Sequence, residues 1–186
     1  MEPNTNPDRD DSLQGRMIRT ARLDPTAYDE VKTDPRALPQ ATAVVLLASV
    51  ATGIGFGQGD LQLIGLGMLF ALLGWYFTAY LSWIIGTRVF PEPDRPVSAS
   101  PVELLRTIGF ANSPGMVRLL AVIPEIRLLV IVATTLWMLI ATVVAIRQGL
   151  GFKSTARATG IYFAIQLLLA PLVLLFGNPE TGISPD

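Results

Sequence analysis

The 186-residue chain contains no cysteine and no histidine. The first absence removes disulfides and thiolate nucleophiles, and the second removes the imidazole base. Together they remove the usual haem ligands and ordinary zinc sites. Charge is also scarce, at 16% of residues, and the formal net charge is -1. The basic residues are spread between apolar runs rather than gathered on one stripe, so there is no footprint for nucleic acid. Nor do the apolar runs hold paired aspartates, a serine with a base or a metal-binding motif. Asp60 stands alone at a turn, and Ser113 has no histidine to activate it. No catalytic residue, metal ligand or cofactor is expected, and the chain reads as non-enzymatic.

What is present is hydrophobic sequence, 51% of residues with a mean hydropathy of +0.47. Uncharged runs lie between Arg36 and Asp60, Asp60 and Arg88, Arg127 and Arg147, and Arg157 and Glu180. A hydrocarbon core about 30 Å thick needs about 20 apolar residues as a helix, and each run meets or nearly meets that length. Backbone groups in lipid must be paired internally, so such runs form helices or closed barrels. Uninterrupted apolar sequence, without period-two alternation, selects helices. The expected fold is all-α, a polytopic membrane bundle.

Residues 1–37 differ from the remainder, being rich in Asp, Asn, Pro and Arg, and read as a cytoplasmic tail without a signal-peptide core. Met1 to Asp11 read as a disordered acidic stretch. From Leu13 to Leu23, helical spacing puts Leu13, Met17, Ile18 and Ala21 on one arc and Arg16, Arg19 and Arg22 on the other. That pattern suits a short amphipathic helix beside anionic headgroups, or else a solvated tail. Asp24-Pro25 and Asp34-Pro35 each predict a helix start, with Asp capping and Pro in the first turn.

The first span is expected over about 38–57, ending in the cluster Gly53, Gly55, Gly57 and Gly59, and the second over 61–87 after an Asp60 cap. Trp75, Tyr76, Tyr80 and Trp83 crowd the second half of that span. They suit an aromatic belt at headgroup depth, with a pigment or aromatic-ligand site as the alternative. Ser82 reads as a helix-packing hydroxyl.

Between Ser100 and Glu125 hydrophobicity falls and polar residues gather. Ser100, Pro101 and Glu103 form a capping box, so a helix begins there. Pro114 and Gly115 predict a bend in this third helix. Arg118 lies close enough to the expected span end at Ile123 to snorkel and meet Glu125. If the segment crosses at 102–123, twelve basic residues fall on the amino-terminal side and only Arg118 and Arg127 on the other. A re-entrant segment would weaken that asymmetry. The expectation is therefore five spans, the last two at 127–147 and 157–177. The amino terminus is cytoplasmic and a short tail, 178–186, is external, in the cell membrane.

Five helices behind a cytoplasmic tail carrying Leu23-Asp24-Pro25-Thr26-Ala27-Tyr28-Asp29-Glu30-Val31 resemble the prokaryotic branch of the Yip1-domain membrane proteins. Gly109-Phe110-Ala111-Asn112-Ser113-Pro114 is similar to that family's glycine-aromatic motif followed by proline at the third span. The Asp-Leu-Tyr-Gly-Pro motif of the eukaryotic branch is absent. The resemblance implies a multi-pass integral membrane protein without established enzymatic activity.

Two kinds of function follow. Arg106, Asn112, Ser113, Pro114, Arg118 and Glu125 form a candidate polar intramembrane site, which in a broken helix could serve a small-solute or ion transporter. A scaffold, lipid-organising or accessory subunit needs only close helix contacts and a docking tail. Its candidate interface is Arg16, Arg19, Arg22, Trp75, Trp83 and Trp137. Membrane lipid, other membrane subunits and self-association are the expected partners.

Overall fold

The computed structural model describes residues 11–56, 61–91 and 99–176. The acidic stretch before Asp11, Gly57 and Gly59 with the Asp60 cap, Arg95 and the carboxyl-terminal tail lie outside these residues. The described residues contain helices and connecting turns, with no strand. Helices α3 (Ala37–Gly55), α4 with its final π-helical turn (Leu61–Val89) and α6 with its preceding 3-10 turn (Pro124–Leu150) are each long and apolar enough to cross a membrane. A shorter α5 (Pro101–Phe110) continues as a 3-10 helix, Ser113–Val122, and α7 (Thr155–Phe176) closes the chain.

The third hydrophobic segment, α5 plus its 3-10 continuation, is the centre of the bundle. Leu104, Leu105, Ile108, Phe110 and Ala111 are all buried. It runs alongside α3 with backbones in close approach, because small residues face each other. A Cβ on Gly109 would lie 2.7 Å from that of Ala41, and one on Gly115 would lie 2.9 Å from that of Ala48. At the far end Gly55 packs directly on the Arg118 carbonyl. This is how helices associate where burial from water supplies no driving force between them.

Start and stop signals act largely as chemistry requires. Ser100 and Glu103 make both bonds of the capping box. Asp24 caps α2 (Pro25–Thr33) by accepting from the Thr26 amide at 2.9 Å, with Pro25 in the first turn. The second Asp-Pro pair behaves otherwise, and α3 begins only at Ala37. Asp34 closes a turn on the Arg36 amide at 2.9 Å while its other oxygen is held by Arg16. Helix α1 (Leu13–Ala21) ends in a paired-bond cap, with Leu23 donating to Thr20 and Asp24 donating to Arg19. Leu23 takes the left-handed conformation this needs, φ 63°. That costs about 1–2 kcal/mol outside glycine. In return its side chain packs against the core. Gly151, φ 70°, ends α6 with the same bond pattern and no such cost.

Helices α1 and α2 are docked on the bundle rather than lying free beside it. Arg16 is 3% exposed and donates to Asp34 at 2.6 Å, Gln40 at 2.8 Å and Asp11 at 3.2 Å. Arg19 bridges to Glu30 and Asp24. Tyr28, fully buried, donates to the Thr20 carbonyl, and burial pushes its hydroxyl pKa well up. Arg106 caps the end of α2 through the Lys32 carbonyl at 2.8 Å, and Lys32 in turn caps the end of α6 through Gln148 at 3.2 Å. Positive groups on helix carboxyl ends are favoured by the unpaired carbonyls there.

Burial opposes ionisation of Asp34, but bonds from Arg16 and from the Arg36 amide and guanidinium prevail and hold its carboxyl at about 2. A depressed carboxyl contributes stability that is complete above its unfolded value and is lost as pH falls through the folded one. The α1–α2 pair should therefore stay docked at pH 5 and loosen between about pH 4 and pH 2. Asp34→Asn should loosen it at neutral pH, at a cost of about 3 kcal/mol. Fluorescence of Trp137, isolated by replacing Trp75 and Trp83 with Phe, reads the change. An emission maximum that stays constant in both tests would rule out the ion pair as the clamp.

Candidate functional site

The polar residues of the third segment separate into two sets. On one side Ser113, buried, donates to the Phe110 carbonyl at 2.7 Å and shares a 3.2 Å hydrogen bond with Thr20 of α1. Arg106 is occupied at Lys32, and Pro114 sits buried in the first turn of the 3-10 helix, where no amide donor is needed. These three residues fasten the tail and the turn.

On the other side Asn112 and Arg118 line one cleft of about 530 Å³ between α3, α4, α6 and the 3-10 helix. Its walls are mostly apolar, including Leu63, Ile64, Phe70 and Met138. Asn112 stands where α-helix gives way to 3-10 helix, and its amide donates to Ile108 at 3.0 Å and Gly109 at 3.3 Å. At the change of helix type the Asn112 backbone amide bonds Gly109 at 3.2 Å instead of Ile108, and the side chain supplies a donor to the Ile108 carbonyl. The change falls at the Gly109–Pro114 stretch singled out in the sequence.

Arg118 is half-buried and is held by hydroxyls. Its Nε donates to Thr134 at 3.3 Å, Nη1 to Thr52 at 3.4 Å and Nη2 to Thr135 at 3.3 Å. The Thr52 and Thr134 protons are themselves given to the Ala48 and Val130 carbonyls. Both oxygens are thereby left as pure acceptors for the guanidinium. The expected Glu125 partner is not used. Glu125 is exposed in the turn before α6, and Arg127 reaches back to the Ala121 carbonyl at 3.0 Å. The side chain of Arg118 instead reaches Thr52 of α3 and Thr134 and Thr135 of α6. The threonines were the missed signal, one on α3 and two on α6.

The candidate interface residues are also largely occupied within the chain. Trp75 is buried and donates to Leu105 at 2.9 Å, Trp83 to Ala99 at 2.9 Å and Trp137 to Ala21 at 2.7 Å. Trp75 is thus a core residue rather than an outward-facing one, because its indole proton has a buried carbonyl to satisfy. Arg16 is likewise turned inward, and Arg19 is paired. Of the three arginines only Arg22 is left exposed. Outward apolar positions on α4 include Leu66, Leu69, Phe70, Leu73 and Phe77, and α6 and α7 also present exposed residues such as Leu128 and Leu167.

The described residues define an all-helical class, with three helices fit to cross a membrane and a mixed α/3-10 segment at the centre. Compared with family models, curated proteins and solved structures, the chain matches none.

The Arg118 bonds can be isolated by a double-mutant cycle. Thr134→Val leaves a half-buried charged donor unmet and should lower stability in detergent by about 1–3 kcal/mol. In an Arg118→Leu background the same change should cost much less. Equal losses in both backgrounds, read by thermal unfolding, would mean the two side chains are not coupled.

Proposed function

We propose that this chain is a five-span, Yip1-like integral membrane protein of the cell membrane. In this reading it acts without enzymatic chemistry, as a scaffold, lipid-organising or accessory subunit. The observation that carries the reading is the uneven burial of the spanning helices. In the most apolar windows of α3 and α6, 33% of residues are buried, against 11% in α4. Gly65, Gly67 and Gly74 of α4 have open space where a Cβ would stand, so a partner helix could approach its backbone closely. The docked tail supports the same role by giving the bundle a fixed face for subunits, with Ile18 and Arg22 outward.

Length supports the third crossing. Ten α-helical residues rise about 15 Å and ten 3-10 residues about 20 Å, enough together for a hydrocarbon core of about 30 Å. With α7 as the fifth span, the basic residues collect on the amino-terminal side. A second reading, transport of a small solute or ion, is favoured by one observation: Asn112 and Arg118 share a cleft.

The natural absence of cysteine makes topology directly testable. In intact cells an impermeant maleimide should label Glu125→Cys, and should label Lys153→Cys only after lysis. Labelling of Lys153→Cys in intact cells would overturn the crossing. Purification in mild detergent, followed by intact-complex mass determination, tests the role. Stoichiometric subunits, or a homo-oligomer disrupted by Gly74→Leu, are expected. A lone monomer with only lipid attached would remove the accessory reading and leave the lipid-organising one.

A further inference from the structure

Arg118 has cationic capacity that the described residues do not use up. A guanidinium carries five N–H donors. Among the described residues its bonds are the three threonine contacts, all at 3.3–3.4 Å. These are long for charge-assisted hydrogen bonds, which run about 2.7–2.9 Å. The oxygens are neutral, and among the described residues no carboxylate stands at ion-pair distance from Arg118. Arg16, by contrast, has two acids. A half-buried cation in apolar surroundings needs a compensating charge. The cleft beside it is the space that could hold one.

We propose that this cleft binds an anionic phospholipid, with the phosphodiester at Arg118 and part of an acyl chain along Leu63, Ile64 and Phe70. The inference rests on the membrane-spanning reading of the third segment. Depth agrees with it. Thr52 lies about one helical turn from the end of α3, and Thr134 about two turns from the start of α6. The guanidinium is therefore roughly 5–10 Å from the helix ends, within reach of the headgroup layer. Chemistry selects phosphate over the carboxylate of a free fatty acid. A phosphodiester remains charged across the physiological range whatever surrounds it, whereas the charge of a carboxyl depends on the balance between burial and the arginine beside it. The cleft wall is also open at Gly67, where an added Cβ would meet no atom within 4 Å.

That opening supplies the test. A side chain at Gly67 should fill the cleft without displacing the protein, while one at Gly65, also open but not lining the cleft, serves as the matched control. Full-length protein in dodecyl maltoside is titrated with dihexanoyl phosphatidylglycerol, dihexanoyl phosphatidylcholine and decanoate, with binding read by intact-protein mass. Each variant's unfolding midpoint is recorded. Phosphatidylglycerol is expected to bind at least about tenfold more tightly than the zwitterionic lipid. Arg118→Gln should weaken it by about 10- to 100-fold. Gly67→Leu should weaken it comparably, and Gly65→Leu should leave it unchanged. Phosphatidylglycerol binding that survives either Arg118→Gln or Gly67→Leu in folded protein would overturn the site. Decanoate binding as tightly at the same residues would overturn the phosphate assignment. Labelling at Glu125→Cys separates the two levels: lost external labelling with intact binding refutes the topology, and the converse refutes only the lipid.

Discussion

Polar groups inside an apolar bundle must find partners within the chain, and this constraint explains most of the internal bonds. In lipid an unmet backbone or side-chain group costs several kcal/mol. Each tryptophan gives its indole proton to a backbone carbonyl. Thr42, Thr52, Thr134 and Thr142 turn their hydroxyls onto carbonyls four residues earlier in their own helices. Asn112 covers the Ile108 carbonyl where α5 changes its winding, and Arg106 and Lys32 cover helix ends. The same rule that fixes these side chains also limits what the interior can offer to a ligand.

Close packing then sets the register of the central segment. Small residues of α3 recur every seven positions, at Ala41, Ala48 and Gly55, and span about 10.5 Å per interval in an α-helix. Their counterparts Gly109 and Gly115 are only six residues apart. Three residues rising 1.5 Å and three rising about 2.0 Å also span about 10.5 Å. The tighter 3-10 winding after Asn112 thus lets a six-residue spacing keep pace with a seven-residue one. Pro114, which has no amide proton, costs nothing in the first turn of that winding. A ten-residue 3-10 run is long for this helix type, and the contacts with α3 and α6 provide the reason it persists.

Hydrophobic runs and capping residues made much of the fold legible in the sequence. The limits of α4 and α6, the start of α2 and the capping box at Ser100 all follow from local chemistry. What escaped was set by partners distant in sequence. Arg16, Arg19 and Arg22 form a clean polar stripe by helical spacing, but spacing could not indicate that Asp34 and Gln40 would draw Arg16 inward. The same ion pair explains why Asp34 closes a turn instead of capping α3. At the candidate site, a bend was expected at Pro114 and Gly115, and the helix changes there from α to 3-10 winding. That Asn112 and Ser113 would face opposite sides was not legible, since neighbours on a helix are rotated by about 100° and the choice of side depends on α1 and α4. Glu125 looked like the partner of Arg118 because it is near in sequence and opposite in charge. Three threonines, separated from Arg118 by 16, 17 and 66 positions, hold it instead.

The contrast among the arginines gives the interior its polarity. Arg16 lies where the tail meets α3 and is neutralised by acids that the tail itself brings. Arg106, one turn and a half into α5, spends a donor on a helix-end carbonyl, which carries partial negative charge. Arg118 lies toward the opposite end of the same segment, where its partners among the described residues are hydroxyls only. Among the described residues, positive charge is therefore compensated at the tail end of the bundle and left without an acidic partner at Arg118. A charge so placed beside an apolar cleft is a poor device for stability, since a leucine would fill the position without a desolvation cost. It is a sound device for holding an anion whose own tail is apolar, because the cleft supplies the dry wall and the arginine supplies the charge.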